Sequence, residues 1–206
     1  MAIERVVGYI DGYNLYYGLL DAKLRTSRWL DLVALCRALL EPRQVLADVR
    51  YFTSRIKNNR DDSARQGMYL DALTARGGLT IDYGHFLSQP ARCRSCGATW
   101  RRSEEKKTDV NIAVRLLEDA FDDLFDVAII VSGDSDLAPP IESVQRRFPD
   151  KRVVVAHPPK RPSAELARVA DAAYHINPSS IRSARLPDPV VQANGYELRA
   201  PQGWLP

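Results

Sequence analysis

The sequence is poor in cysteine, in long apolar runs and in any surplus of charge. Its 206 residues hold three cysteines, an odd and small number that builds no disulfide scaffold and suits a reducing cytosol. No apolar run approaches the roughly 20 residues that a bilayer-spanning helix requires. Met1-Ala2-Ile3-Glu4-Arg5 lacks the apolar core and cleavage site of a signal peptide. These absences lead us to expect a cytoplasmic protein with no membrane partner. Internal repeats and low-complexity tracts are missing too. With 29 Lys and Arg against 26 Asp and Glu, the net charge of +3 is too small to identify a partner. What is left, 45% hydrophobic and 27% charged residues, is ordinary for a soluble globular chain. The length fits one domain with room for an appendage.

The informative stretch is Ile129-Ile130-Val131-Ser132-Gly133-Asp134-Ser135-Asp136. An apolar run bounded by turn residues reads as a strand buried on both faces, as in parallel sheets. Its two carboxylates then sit just past the C-terminal end of the strand, where open α/β sheets place their ligands. Acids this close repel unless a cation or a donor relieves them, which points to a divalent metal. The alternative is a helix start, with Ser135 or Asp134 as cap and Asp136 in the first turn. Near the N-terminus, Arg5 to Ile10 reads as a first strand that runs straight into Asp11-Gly12-Tyr13-Asn14. Asp11 thus occupies the same kind of place as Asp134, or else marks an Asp-Gly turn. The Asn14 amide either braces the following helical turn or orients a carboxylate or a metal-bound water.

Between these motifs, apolar spacing predicts a helix over Leu30 to Leu40, with Cys36 as a small core residue. A strand over Asp48 to Ser54, a helix from about Ser63 to Ala75 ended by Gly77-Gly78, and a strand at Leu79 to Tyr83 follow. That alternation argues for parallel pairing with helices on both faces. Residues 87–107 read as an irregular insertion. It carries Cys93 and Cys96, candidate zinc ligands that lack the usual second pair, with His85 near and His157 and His175 remote. A dimer would be one way to complete such a site. The insertion also gathers Arg92, Arg94, Arg101, Arg102, Lys106 and Lys107 around Trp100, a composition suited either to a phosphate backbone and a stacked base or to a solvated loop.

Thr108, a plausible N-cap, opens the best helix, with Val110, Val114, Leu117, Phe121 and Leu124 as its apolar stripe. Asp109 suits the first turn of that helix. Its later acids, Glu118, Asp119, Asp122 and Asp123, are expected to face water. After the central strand come a helix begun by Pro139-Pro140, a strand at Arg152 to Ala156, a short helix capped by Ser163 and an edge strand at Ala173 to Ile176. Five prolines fall in the final 30 residues, where Asn194-Gly195 between Val190-Val191 and Tyr196-Glu197-Leu198 signals a type I′ hairpin.

Taken in order, Asp11-x-x-Asn14, Lys107-Thr108-Asp109-Val110 and Ser132-Gly133-Asp134-Ser135-Asp136 resemble the NYN domain, a branch of the PIN-like nucleases, with the LabA-like bacterial proteins closest in pattern. Arg161-Pro162-Ser163-x-x-Leu166 and Val169-Ala170-Asp171 also resemble the end of such domains. The resemblance implies a PIN-like three-layer α/β sandwich with a mostly parallel central sheet over residues 1–176, followed by a proline-rich C-terminal appendage at 177–206. It further implies a metal-dependent ribonuclease that uses Mg²⁺ or Mn²⁺ to hydrolyse RNA phosphodiester bonds. Carried over by position, the metal ligands are Asp11, Asp109, Asp134 and Asp136, with Asn14 beside them. Relatives place an acid six residues after the Asp109 position. This chain has Arg115 there, which either weakens a metal subsite or contacts phosphate alongside Arg101, Arg102, Lys106 and Lys107.

Two rivals remain. One is a PIN-like module that binds RNA or a protein without cutting, a reading that Arg115 favours. The other is a phosphatase of the haloacid dehalogenase type, because Gly133-Asp134-x-Asp136 resembles one of that family's acidic motifs. It ranks last, since the first strand ends in Asp11-Gly12-Tyr13 and supplies no Asp-x-Asp nucleophile.

Overall fold

A computed structural model of the chain describes residues 3–57, 59–92, 95–106 and 108–206, with backbone alone over 85–92 and 100–106. Six strands build the main sheet: β1 (Glu4–Asp11), β2 (Gln44–Thr53), β3 (Thr80–Tyr83), β6 (Val127–Val131), β7 (Arg152–His157) and β8 (Ala172–His175). Their order is β3-β2-β1-β6-β7-β8, and every neighbouring pair is parallel. The chain begins at the centre, winds out to β3, returns to lay β6 against the other side of β1, and winds out again to β8. The winding reverses between β1 and β6, and open sheets bind their ligands in the crevice at such a reversal.

Helices cover both faces, which is why β6 is apolar and buried at all five positions. On one face lie α1 (Gly12–Asp21), α2 (Leu32–Ala38) and α3 (Arg60–Arg76), packed over Val6, Ile10, Val49 and Ile129. On the other lie α4 (Thr108–Phe121), α5 (Ala138–Arg147) and α6 (Ala164–Val169), over Val7, Tyr9, Phe52, Ile130 and Val155. This is the three-layer sandwich with a parallel sheet that the sequence led us to expect. Cys36 is fully buried against the first face, and burial pushes its thiol up to about 12, so it acts as an apolar core group.

The later chain joins the first face. Helix α7 (Pro178–Ser183) supplies Ile181, and Leu186, Val190, Leu198 and Trp204 extend the same apolar cluster against α2 and α3. Strands β9 (Val190–Val191) and β10 (Glu197–Leu198) form the expected hairpin, but not on a type I′ turn. Gly195 has φ +82° while Asn194 keeps a negative φ, and Gly195 N–H donates to the Gln192 carbonyl, giving a turn closed by a left-handed glycine.

Three expectations change. The segment read as an irregular insertion contains a two-stranded antiparallel hairpin, β4 (His85–Arg92) with β5 (Thr99–Lys106). The strand pairing was concealed because no regular apolar alternation marks these segments in the sequence. Helix α4 buries a different face from the one predicted: Thr108, Ile112, Leu116 and Ala120 point inward. Val110, Val114, Phe121 and Leu124 are 61%, 47%, 57% and 42% exposed, and Leu117 is only partly buried. Asp119 explains the choice. It is 1% exposed rather than solvated, and it receives the Tyr9 hydroxyl at 2.8 Å and the Arg50 guanidinium at 2.9 and 3.1 Å. Rotating α4 onto its other apolar stripe would leave Arg50 without that carboxylate inside the sandwich.

Leu116→Ala is therefore expected to destabilise the protein by about 2–5 kcal/mol, whereas Val114→Ala should stay within about 0.5 kcal/mol. Urea unfolding with unchanged m-values measures both. Equal losses would mean that the helix faces are reversed.

Candidate active site

Strands β1 and β6 pair up to Ile10 and Val131, so Asp11 and Ser132 emerge side by side at the C-terminal edge. Asp11 is 2% exposed and also caps α1. One carboxylate oxygen accepts the Asn14 backbone N–H at 3.0 Å. The other accepts the Asn14 amide at 2.8 Å and the Ser132 hydroxyl at 2.9 Å. The Asn14 carbonyl oxygen in turn accepts Gly133 N–H at 3.2 Å, and Ser132 Oγ accepts Asp134 N–H at 3.0 Å. Asn14 thus both braces the first turn of α1 and orients Asp11, and one serine hydroxyl joins the two acidic loops.

Asp134 is half-buried and caps the 3-10 turn Ser135–Leu137 by accepting Asp136 N–H at 3.1 Å. The exposed Asp136 stands in that turn, which packs against α4. Capping leaves room for a further contact here, since a capping carboxylate retains lone pairs. Gly133 has no room for a side chain: a Cβ would lie 2.1 Å from the Arg161 carbonyl oxygen. The loop after β7 is therefore pressed against the acidic loop.

Burial pushes the Asp11 carboxyl above its ordinary value of 3.8. The Asn14 backbone, the Ser132 hydroxyl and the Asn14 amide pull it back down, and the charge of Asp134 raises it again. Asp11 and Asp134 are thus close enough to repel. As a donor set, two carboxylates suit a hard divalent cation. Magnesium commonly takes one or two carboxylates, several waters and substrate phosphates. Among the described residues, no group of three or more His, Cys, Asp or Glu side chains is disposed to hold a metal.

Asp109 lies half-buried in the first turn of α4. Arg115 forms ion pairs with Glu118 at 3.3 Å and, more loosely, with Asp82 of β3 at 3.9 Å. Arg101, Arg102 and Lys106 fall in β5, where the side chains lie outside the described residues, as do Lys107 and Cys93 entirely. Cys96 is a free, exposed thiol. His157 and His175 sit at the ends of β7 and β8 with ring centroids 5.5 Å apart.

No local motif marks the row of side chains along this edge. Asp82, Phe52 and Asp11 are in register, and the row continues through Ser132 toward the paired His157 and His175. His157 is buried, and burial lowers its imidazole against a hydrogen bond to the Ser132 backbone that raises it. Its Nδ1, like Asp82 Oδ2, has no hydrogen-bond partner. The available signal was positional, since each of these residues lies at or within one residue of the C-terminal end of a parallel strand.

The sequence pattern of the NYN domain matches residues 5–177. The 6-hydroxy-3-succinoylpyridine 3-monooxygenase HspA of Pseudomonas putida is 28% identical over 220 residues, covering 87% of this chain and 69% of its own length. A crystal structure of a protein of unknown function from Vibrio parahaemolyticus superposes with a TM-score of 0.55 at 22% identity, covering 85% of this chain and 94% of that one. The last likeness speaks to the fold alone. Among the described residues, no helix is long and apolar enough to cross a membrane.

Two outcomes are expected. Gly133→Ala should destabilise by about 1–3 kcal/mol, because backbone rather than a flexible side chain must give way. Asp11 binds a proton more readily folded than unfolded. Its stabilising contribution is complete below 3.8 and is lost as pH rises through the raised folded value. The thermal midpoint of Asp11→Asn in EDTA should therefore gain on wild type as pH goes from about 4 to about 8. A gap that narrows over that range would mean that Asp11 is not raised.

Proposed function

Because this chain belongs to the NYN domain family, we propose that it is a metal-dependent ribonuclease of the LabA-like branch, hydrolysing RNA phosphodiester bonds in the cytoplasm. One observation carries this reading: acids from two separate strand ends, Asp11 and Asp134, share a single hydroxyl, Ser132 Oγ, as their link.

In this mechanism Asp11, Asp134 and Asp109 would hold Mg²⁺ or Mn²⁺, with Asp136 and Asn14 binding it through water or orienting the attacking water. The bound cation supplies a more acidic water and neutralises charge on the phosphorane. Asn14 and Ser132 hold the Asp11 carboxylate in one orientation. Water oxygen bonds to phosphorus, the ester P–O bond breaks, and the proton passes to the leaving oxygen. Arg115, with Arg101, Arg102 and Lys106 of the hairpin strand β5 and with Lys107, which lies outside the described residues, provides positive charge for the flanking phosphates.

A second reading, a PIN-like module that binds RNA without cutting, is favoured by Arg115 at a position where relatives carry an acid. It is favoured too by the lack, among the described residues, of a ready group of three metal-holding side chains.

Single-stranded RNA incubated with Mn²⁺ separates the two. Asn14→Ala should slow cleavage about 10–100-fold, as loss of an outer-shell partner does, and Asp11→Asn or Asp134→Asn by more. EDTA should abolish it. Cleavage that survives both substitutions or EDTA would sink the metal mechanism, and RNA binding without turnover at any divalent ion would select the module.

A further inference from the structure

Beside the acidic loops, on the opposite face of the sheet, is a cleft whose wall includes Gly12, the residue after Asp11. Its other walls are aromatic: Tyr13, Tyr16 and Tyr17 of α1, Tyr51 of β2, Tyr69 of α3 and Trp204 of the C-terminal segment. Gly12 makes this possible, because a Cβ there would fall 2.8 Å from the Tyr51 ring. The sheltered part of the cleft is about 100 Å³, and the space grows to about 790 Å³ when the open mouth is counted. An apolar cavity of ~150 Å³ takes up benzene. The enclosed space here is smaller than that, so a planar ring lies partly within it and partly in the open mouth.

The polar groups fit the same occupant. Arg28 brings positive charge to the lining, 4.9 Å over the Trp204 ring, while the exposed Arg65 is paired at 2.6 Å with Asp62, which lines the cleft too. The Trp204 indole N–H has no acceptor although the residue is 5% exposed. Tyr13 and Tyr17 stack at 6.3 Å and Tyr16 meets Tyr17 edge-on at 5.4 Å, so α1 presents a continuous π surface. A ring bearing an anionic group satisfies both features, the aromatic wall and the Arg28 guanidinium.

We propose that this cleft binds the base of a nucleotide adjoining the bond to be cut, stacked on α1 with its phosphate toward Arg28. The assignment rests on the ribonuclease reading for the position of that bond, and it deepens it. A base that leaves its stack to enter a cleft comes from single-stranded RNA. Stacking uses the π face that every base shares, so sequence preference is weak.

The test uses full-length Asp134→Asn protein in EDTA, where nothing is cleaved. Tryptophan fluorescence and saturation-transfer NMR are titrated with 5′-UMP, 5′-AMP, ribose 5-phosphate and free 2-hydroxypyridine. Both nucleotides should bind and ribose 5-phosphate should not. Tyr16→Ala should weaken the nucleotides by about ten-fold or more, while Tyr16→Phe should leave them within two-fold. Ile56→Trp, which fills the cleft from its rim, should abolish binding and serves if Tyr16→Ala fails to fold. The proposal is overturned if ribose 5-phosphate binds as well as the nucleotides, if neither nucleotide binds at millimolar concentration, or if filling the cleft changes nothing. Tighter binding of 2-hydroxypyridine than of either nucleotide would overturn the RNA assignment. Since the readout needs no cleavage, a failed nuclease assay and an empty cleft are separate results.

Discussion

A carboxylate enclosed at the centre of a sheet edge governs how this molecule is built. Withdrawing an ionised acid from water costs several kcal/mol unless donors replace the lost hydration. Asp11 receives three, from the Asn14 backbone, the Asn14 amide and the Ser132 hydroxyl. Those donors come from α1 and from the end of β6. The Ser132 hydroxyl meets Asp11 only because β6 returns to lie beside β1. The residual repulsion from Asp134 is what a cation would relieve. The strand order, the bare Gly133 and the close approach of the Arg161 loop all serve this one local arrangement.

Much of that arrangement was legible in advance. A five-residue apolar strand ending in Ser-Gly-Asp has few other places to go in an α/β protein, and Asp11 follows an apolar strand of the same kind. The family resemblance matched the region that the NYN pattern covers. Capping and functional readings looked like alternatives along the sequence, yet Asp11 and Asp134 cap the turns that follow them while facing each other. What stayed hidden depended on contacts between distant segments. Helix α4 carries two apolar stripes, and only the pairing of Asp119 with Arg50 and Tyr9 selects between them. His157 and Asp82 join the edge through register alone, which no local pattern encodes. The β4–β5 pairing was masked because neither strand alternates apolar and polar residues: charge dominates β5, and β4 carries a proline.

The two faces of the sheet divide the work proposed for this chain. The acids, with Ser132 and His157, gather where β1, β6 and β7 end, above the α4 and α5 layer. The aromatic cleft opens on the α1 and α3 side, one residue away along the backbone. Gly12 separates the two regions and belongs to both, since its missing side chain admits Tyr51 and its position follows Asp11 directly. Chemistry that depends on charge and recognition that depends on ring faces can therefore vary with little mutual interference.

The stretch matched to the NYN family stops at residue 177, but the apolar cluster does not. Ile181, Leu186, Val190, Leu198 and Trp204 lie beyond that point and are all buried against helices of the first face. Cutting the chain at the homology boundary would strip α2 and α3 of their cover and leave a sticky apolar flank. For this protein, the unit that evolution shares is smaller than the unit that folds.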